Sequence, residues 1–249
     1  MAAQQGLAQR VAPLADTAAA DDARGAPTVT SELQSAIRTI GIEATGLTGL
    51  AEALQGPLAE PFSAAVQLLR AARGRVIVSG IGKSGHIGQK LAATFASTGT
   101  PAFFIHPSEA SHGDLGMITP DDAIVGISWS GETVELANIL TFSRRYAVPL
   151  ISITSRRDSA LGRASDVVLE LPRVDEACPH GLAPTTSTTM QLALGDALAI
   201  ALLEAGVPVT RVAADVGYST PSAFGAAFRQ ALGSSPSRFL ADRTGTPTR

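Results

Sequence analysis

A chain of 249 residues, 45% hydrophobic and 16% charged, is long and apolar enough for one substantial domain with a small appendage, which excludes a wholly disordered polymer. A formal net charge of −3 excludes a general attraction to nucleic acid or to an anionic membrane, so contacts of either kind must be local. The single cysteine, Cys178, excludes an internal disulfide and favours a reducing, cytoplasmic setting.

Residues 1–30 combine alanines and small polar residues without a sustained apolar face and are expected to be disordered. They lack the continuous apolar core of a secretion signal, and Asp16, Asp21 and Asp22 argue against an organellar transit peptide. Over 31–55, Leu33, Ile37, Ile40 and Leu47 predict an interrupted helix. Over 57–72, Phe62, Ala65, Val66 and Leu69 predict a second helix with one apolar face.

The stretch 75–88, RVIVSGIGKSGHIG, is the centre around which the domain is organised. Val76, Ile77 and Val78 form a β-branched run of strand length, and Ala92, Ala93, Phe95 and Ala96 recur at helical spacing after Gly88. Between them the sequence predicts a loop with Gly80, Gly82, Gly85 and Gly88. Such a loop is either an ordinary strand-to-helix turn or an anion site, where glycines admit a ligand to the amides and the helix start favours negative charge. Lys83 adds a cation and Ser84 a hydroxyl. The spacing fits neither a dinucleotide-binding fingerprint nor a Walker loop.

Further strands are predicted at 101–105 (PAFFI), 123–127 (AIVGI), 150–153 and 167–171, with a helix over 132–146 and a long one over 190–204. Alternating strands and helices imply parallel pairing through right-handed crossovers, hence a three-layer α/β sandwich that binds ligands at the C-terminal ends of its strands. The apolar stretch 190–203 is interrupted by Gln191, Gly195 and Asp196 and is too short to span a bilayer, so no membrane partner is expected. Ser128, Ser130 and Thr133 surround one helix start, and residues 185–189 (TTSTT) precede another. Each group serves as helix caps or as phosphate ligands. Three hydroxyl-rich helix starts on one sheet edge favour the anion site.

The stretches GIGKSGHIGQKLAATFASTGTPAFFIHPSEASHGDLGMITPDD, GISWSGETVE and EACPHGLAPTTSTTMQLALGDALAIALLEA resemble the sugar isomerase (SIS) domain, in particular the arabinose 5-phosphate isomerase family, over residues 31–206. The resemblance implies a five-stranded parallel sheet and interconversion of D-arabinose 5-phosphate and D-ribulose 5-phosphate, a step toward the 3-deoxy-octulosonate of bacterial lipopolysaccharide. It implies a phosphorylated pentose as substrate, no cofactor, and a homo-oligomer, by family likeness a tetramer. Carried over residue by residue, it makes Gly82, Ser84, Ser128, Ser130, Thr133 and Thr186 the phosphate and substrate contacts, and Lys83 the cation beside developing negative charge. Glu135 and Glu176 are the candidates for proton transfer, and His112 a candidate for substrate or a metal.

Two departures stand out. Trp129 occupies the middle of the serine loop, where the family has Asn, which is expected to put an indole near the phosphate. After Ala205 the family continues into a His-Pro-Gly-Gly segment, and often into paired CBS domains; here the chain reads GVPVTRVAADVGYSTPSAFGAAFRQALGSSPSRFLADR instead. That stretch resembles the second helix-turn-helix of AraC-type regulators over 207–240, with a flexible end at 241–249. A helix is predicted over 209–216, then a turn at Gly217, Tyr218 and Ser219, a Thr220 cap, Pro221 at the first helical position, Phe224 and Phe228 one turn apart, and a stop at Gly233. Thr220, Ser222, Arg229 and Arg238 are the candidate DNA contacts. Five arginines against two aspartates leave this tail basic by three charges, and half of a two-motif reader supplies few phosphate contacts. The expected role is therefore a helical cap or a fusion remnant, with DNA-linked phosphosugar sensing as the alternative function and a catalytically inactive phosphosugar-binding protein as another.

Overall fold

The computed structural model describes residues 30–206, 213, 216–236 and 239. Segment 1–29, the end 240–249, Arg238 and all of the expected helix 209–216 except Ala213 and Val216 lie outside the described residues. The chain runs through α1 (Ser31–Leu54), α2 (Ala59–Ala71), β1 (Val76–Gly80), α3 (Gly82–Ser97), β2 (Ala102–Ile105), α4 (Pro107–Ala110), β3 (Ala123–Ile127), α5 (Ala137–Tyr146), β4 (Leu150–Thr154), α6 (Ala160–Ala164), β5 (Val167–Glu170), α7 (Thr186–Ala205) and α8 (Pro221–Leu232). Short 3-10 turns stand at Asp114–Met117 and Val134–Leu136. One unit ends at Ser35 and a second begins at Ala36.

All five strands pair in parallel in the order β2-β1-β3-β4-β5. β1, β3 and β4 are buried at every residue because helices cover both sheet faces; the edge strands β2 and β5 are less enclosed. The two-residue period divides the core. Val76, Val78, Val125, Ile127, Ile151 and Ile153 face one cluster, which Leu69 of α2, Phe95 of α3 and Leu194 and Leu198 of α7 complete. Ile77, Ile124 and Leu150 face the other, completed by Ile139 of α5 and Leu161 of α6.

Several expectations change in the folded chain. α1 is one uninterrupted helix, not an interrupted one, and Gly41 and Gly49 sit within it in open space. The glycine-rich loop shrinks to Ile81, because α3 already begins at Gly82. Gly82 has φ of +59°, which its lack of a Cβ permits. Gly85 and Gly88 instead lie in α3 where it presses on the sheet: a Cβ at Gly85 would stand 2.8 Å from the Gly80 carbonyl oxygen, and one at Gly88 2.9 Å from the Phe104 ring. They are packing glycines. The helix expected from 132 starts at Ala137, after the second 3-10 turn, and α7 starts at Thr186, so its hydroxyls lie inside the first turn.

α7 has the length and apolarity of a bilayer-spanning helix. Its apolar side is spent on the core, where Leu194, Leu198 and Leu202 are buried, each contributing about 1.5–3 kcal/mol. Half of the helix is buried in this way, while Ile200 and Leu203 on its other side stay exposed. At the opposite, N-terminal edge of the sheet, Asp122 ties β1 to β3. Its carboxylate accepts hydrogen bonds from the Arg75 backbone N–H at 2.6 Å, the Thr119 N–H at 2.8 Å and the Arg75 guanidinium at 3.3 Å.

Candidate active site

β1 and β3 are neighbours although β2 intervenes in sequence, so their C-terminal ends form the switch point of the sheet. Gly80 is in register with Ile127, which sets the start of α3 beside the loop after β3. Ile81, at the N-cap of α3, has no polar side chain with which to cap the helix. The first amides of α3 are therefore open to an outside acceptor. Lys83 is exposed and Ser84 half-exposed at this start.

Across the junction Ser128, 4% exposed, shares a 2.7 Å hydrogen bond with Thr133 and accepts one from the Gly131 N–H at 3.0 Å. Ser130 is exposed and accepts from the Glu132 N–H at 3.2 Å. The loop is thus held by its own hydroxyls, and Thr133 does not cap the following turn. Glu135 stands exposed in that turn. His112 is exposed in the segment after β2, which a 2.8 Å hydrogen bond from Asn138 of α5 to Ser111 draws toward the same edge. Among the described residues no three His, Cys, Asp or Glu side chains converge as a metal site.

This arrangement of sheet, switch point and hydroxyl loops has parallels among known proteins. The SIS domain model matches residues 68–201, more than half of the chain. The chain belongs to the SIS domain family. The Pseudomonas aeruginosa protein named arabinose 5-phosphate isomerase KdsD is 52% identical over 173 residues, 70% of this chain and 52% of that protein. The Escherichia coli K12 protein of the same name is 56% identical over 144 residues, 58% of this chain and 44% of its own. Among solved structures, Escherichia coli CFT073 c3406 in complex with arabinose 5-phosphate is 43% identical with a TM-score of 0.63, covering 69% of this chain and 92% of that one. The chain spans about half the length of the curated relatives it matches. A helix-turn-helix domain model matches residues 189–242 and so overlaps the SIS match on α7.

Within the SIS domain, Glu176 is engaged through one of its two oxygens. One carboxylate oxygen accepts from the Thr185 N–H at 2.7 Å, the Thr185 hydroxyl at 3.0 Å and the Ser187 N–H at 3.3 Å, so it caps α7 from the preceding loop. Burial pushes this carboxyl up, but the hydrogen bonds from Ser187 and Thr185 outweigh that and hold it below the usual carboxylate range. Thr186 is fully buried with its hydroxyl unpartnered among the described residues; its methyl side faces Gly46 of α1. Trp129 packs half-buried against the core cluster, and its carbonyl accepts from Ser155 and Thr154.

Sequence reasoning passed over Gln191, which reads only as a break in an apolar run. The side chain is fully buried and its amide oxygen accepts the Ser84 hydroxyl proton at 3.1 Å. A lone polar residue on the apolar face of a core helix was the available signal.

In the tail, the Thr220 hydroxyl accepts from the Ala223 N–H at 3.2 Å, and Gly233 ends α8 with φ of +74°. Tyr218, Phe224, Phe228 and Phe239 stack edge to face in succession, with ring centroids 5.5–5.6 Å apart. Thr220, Ser222 and Arg229 are exposed.

Proposed function

We propose that the chain is a sugar-phosphate aldose–ketose isomerase that interconverts D-arabinose 5-phosphate and D-ribulose 5-phosphate through an enediolate. The observation that carries this reading is the pairing of the open α3 start with the Ser128–Thr133 hydroxyl loop across the Gly80–Ile127 step, a cradle of N–H and O–H donors suited to phosphate oxygens. The isomerases it resembles and the sugar-phosphate complex of the c3406 protein support the substrate class. Lys83 offers positive charge to the enediolate. A carboxylate removes the C2 proton while the C1 carbonyl oxygen gains one; return of the proton to C1 and loss of the O2 proton yield the ketose. Glu135 suits this role better than Glu176, whose three hydrogen bonds make it a weaker base. A symmetric assembly belongs to the same proposal, and exposed Ile37, Ile40, Ile200 and Leu203 supply apolar surface for it.

A coupled assay with arabinose 5-phosphate tests turnover. Binding is checked separately: calorimetry is expected to show that Ser84→Ala weakens arabinose 5-phosphate about 10- to 100-fold, the loss of one hydrogen bond to a charged group. Equal affinity for arabinose lacking the phosphate would refute the assignment.

The helix-turn-helix match raises a regulator as the second reading. We infer that the tail does not read DNA, because the first helix of that match is α7, whose apolar side is committed to the SIS core. A band shift with duplex DNA at low salt is expected to show no complex. Salt-sensitive retardation that disappears with Arg229→Ala would reverse this conclusion.

A further inference from the structure

Gln191 leaves its amide nitrogen without a partner among the described residues, although the side chain is 0% exposed. Unpaired buried donors are rare because each loses its water without replacement, and one that persists marks a place where something else is required. The donor here stands next to the group that the proposed function assigns to phosphate, since the oxygen of the same amide holds Ser84 at 3.1 Å.

The chemistry of the pair constrains what can happen. A serine hydroxyl has one proton, and in this arrangement Ser84 gives it to Gln191. A phosphate oxygen can only accept. If Ser84 simply turned its proton to the ligand, the Gln191 oxygen would be stranded and a second buried polar atom left unpaired. A half-turn of the amide leaves one buried polar atom unpaired, the oxygen, instead of two. It presents the nitrogen to Ser84, so that Gln191 donates, the Ser84 oxygen accepts, and the Ser84 proton is free for the anion.

We propose that Gln191 is a positioning residue of the phosphate site, whose buried amide turns from acceptor to donor toward Ser84 and so commits the Ser84 proton to a phosphate oxygen. The inference rests on Ser84 being a phosphate ligand. It also bears on specificity: with the amide unturned Ser84 offers lone pairs, and with it turned Ser84 offers a proton, so the turned state selects an acceptor-only anion over a sugar hydroxyl.

The test is a double-substitution cycle on the full chain, with arabinose 5-phosphate and inorganic phosphate as titrants. Gln191→Met is expected to weaken both about tenfold, yet to change affinity less than about twofold when Ser84 is already Ala. Gln191→Glu is expected to weaken binding more, because a carboxylate keeps accepting the Ser84 proton and repels phosphate. Equal weakening by Gln191→Met in both backgrounds would sink the role of Gln191 while leaving the Ser84 assignment standing; no effect of Ser84→Ala would instead sink the phosphate reading. A further measurement needs no substitution at Gln191. In the unsubstituted chain its side-chain NH2 resonances are expected to shift as inorganic phosphate saturates the site and to stay still in Ser84→Ala. Unmoved resonances at saturation in the unsubstituted chain would overturn the proposal.

Discussion

Replacing the residues after Ala205 with a His-Pro-Gly-Gly segment of the isomerase family is expected to raise kcat for arabinose 5-phosphate by about 10²–10⁴, the usual contribution of a positioned acid or base. The four histidines of the chain all precede that point, and none stands where the segment would place one. His106 accepts from the Ser108 N–H at 3.3 Å as the cap of α4. His86 is exposed on α3, and His112 and His180 are exposed in loops. Of Gly217 and Tyr218 in the segment to be replaced, only the tyrosine carries a proton, and its ring packs on Phe224. Phosphosugar affinity should change little in the same variant, because the cradle after β1 and β3 is untouched. Steady-state kinetics of the two chains measure both quantities, and equal kcat values would show that the histidine is dispensable.

Asp122→Ala is expected to lower stability by about 3 kcal/mol at neutral pH, since it removes a buried charged acceptor and leaves the Arg75 and Thr119 N–H groups and the Arg75 guanidinium without it. For a chain of this size that corresponds to a fall in Tm of roughly 6–12 °C. Burial raises the Asp122 carboxyl, but hydrogen bonds from Thr119 and Arg75 more than offset this and hold it below its ordinary value. A group depressed in the folded state stabilises fully above its unfolded pKa, about 3.9, and that stabilisation disappears as pH falls through the folded value. The difference between the two proteins should therefore be complete at pH 7 and shrink below about pH 4. Thermal melts across that range decide the matter; a shift under about 2 °C at pH 7 would show that other bonds hold this edge. The site lies at the far end of the strands, so phosphosugar affinity should survive at temperatures where the variant is folded.

Local pattern made much of the fold readable. The apolar runs at Val76, Ala123 and Leu150 form strands because their β-branched and aliphatic side chains suit a sheet covered on both faces, and helices between them require parallel crossovers. Thr220 and Gly233 bound α8 for equally local reasons, one a hydroxyl acceptor and the other a residue without a Cβ. The hydroxyls at Ser84 and Ser128 could be placed on one edge from parallel pairing alone, since each follows a strand. Tertiary structure decided what those signals mean. Gly85 and Gly88 look like loop glycines until α3 is laid against Gly80 and Phe104, and Glu176 looks like a free carboxylate until α7 begins beside it. Gln191 meets Ser84 across 107 residues of chain, a pairing fixed by where α7 crosses the sheet. Periodicity, caps and turns act over a few residues and are written in the sequence by itself; buried polar partnerships depend on which distant atoms the completed core brings within about 3 Å, and that is settled only by the fold.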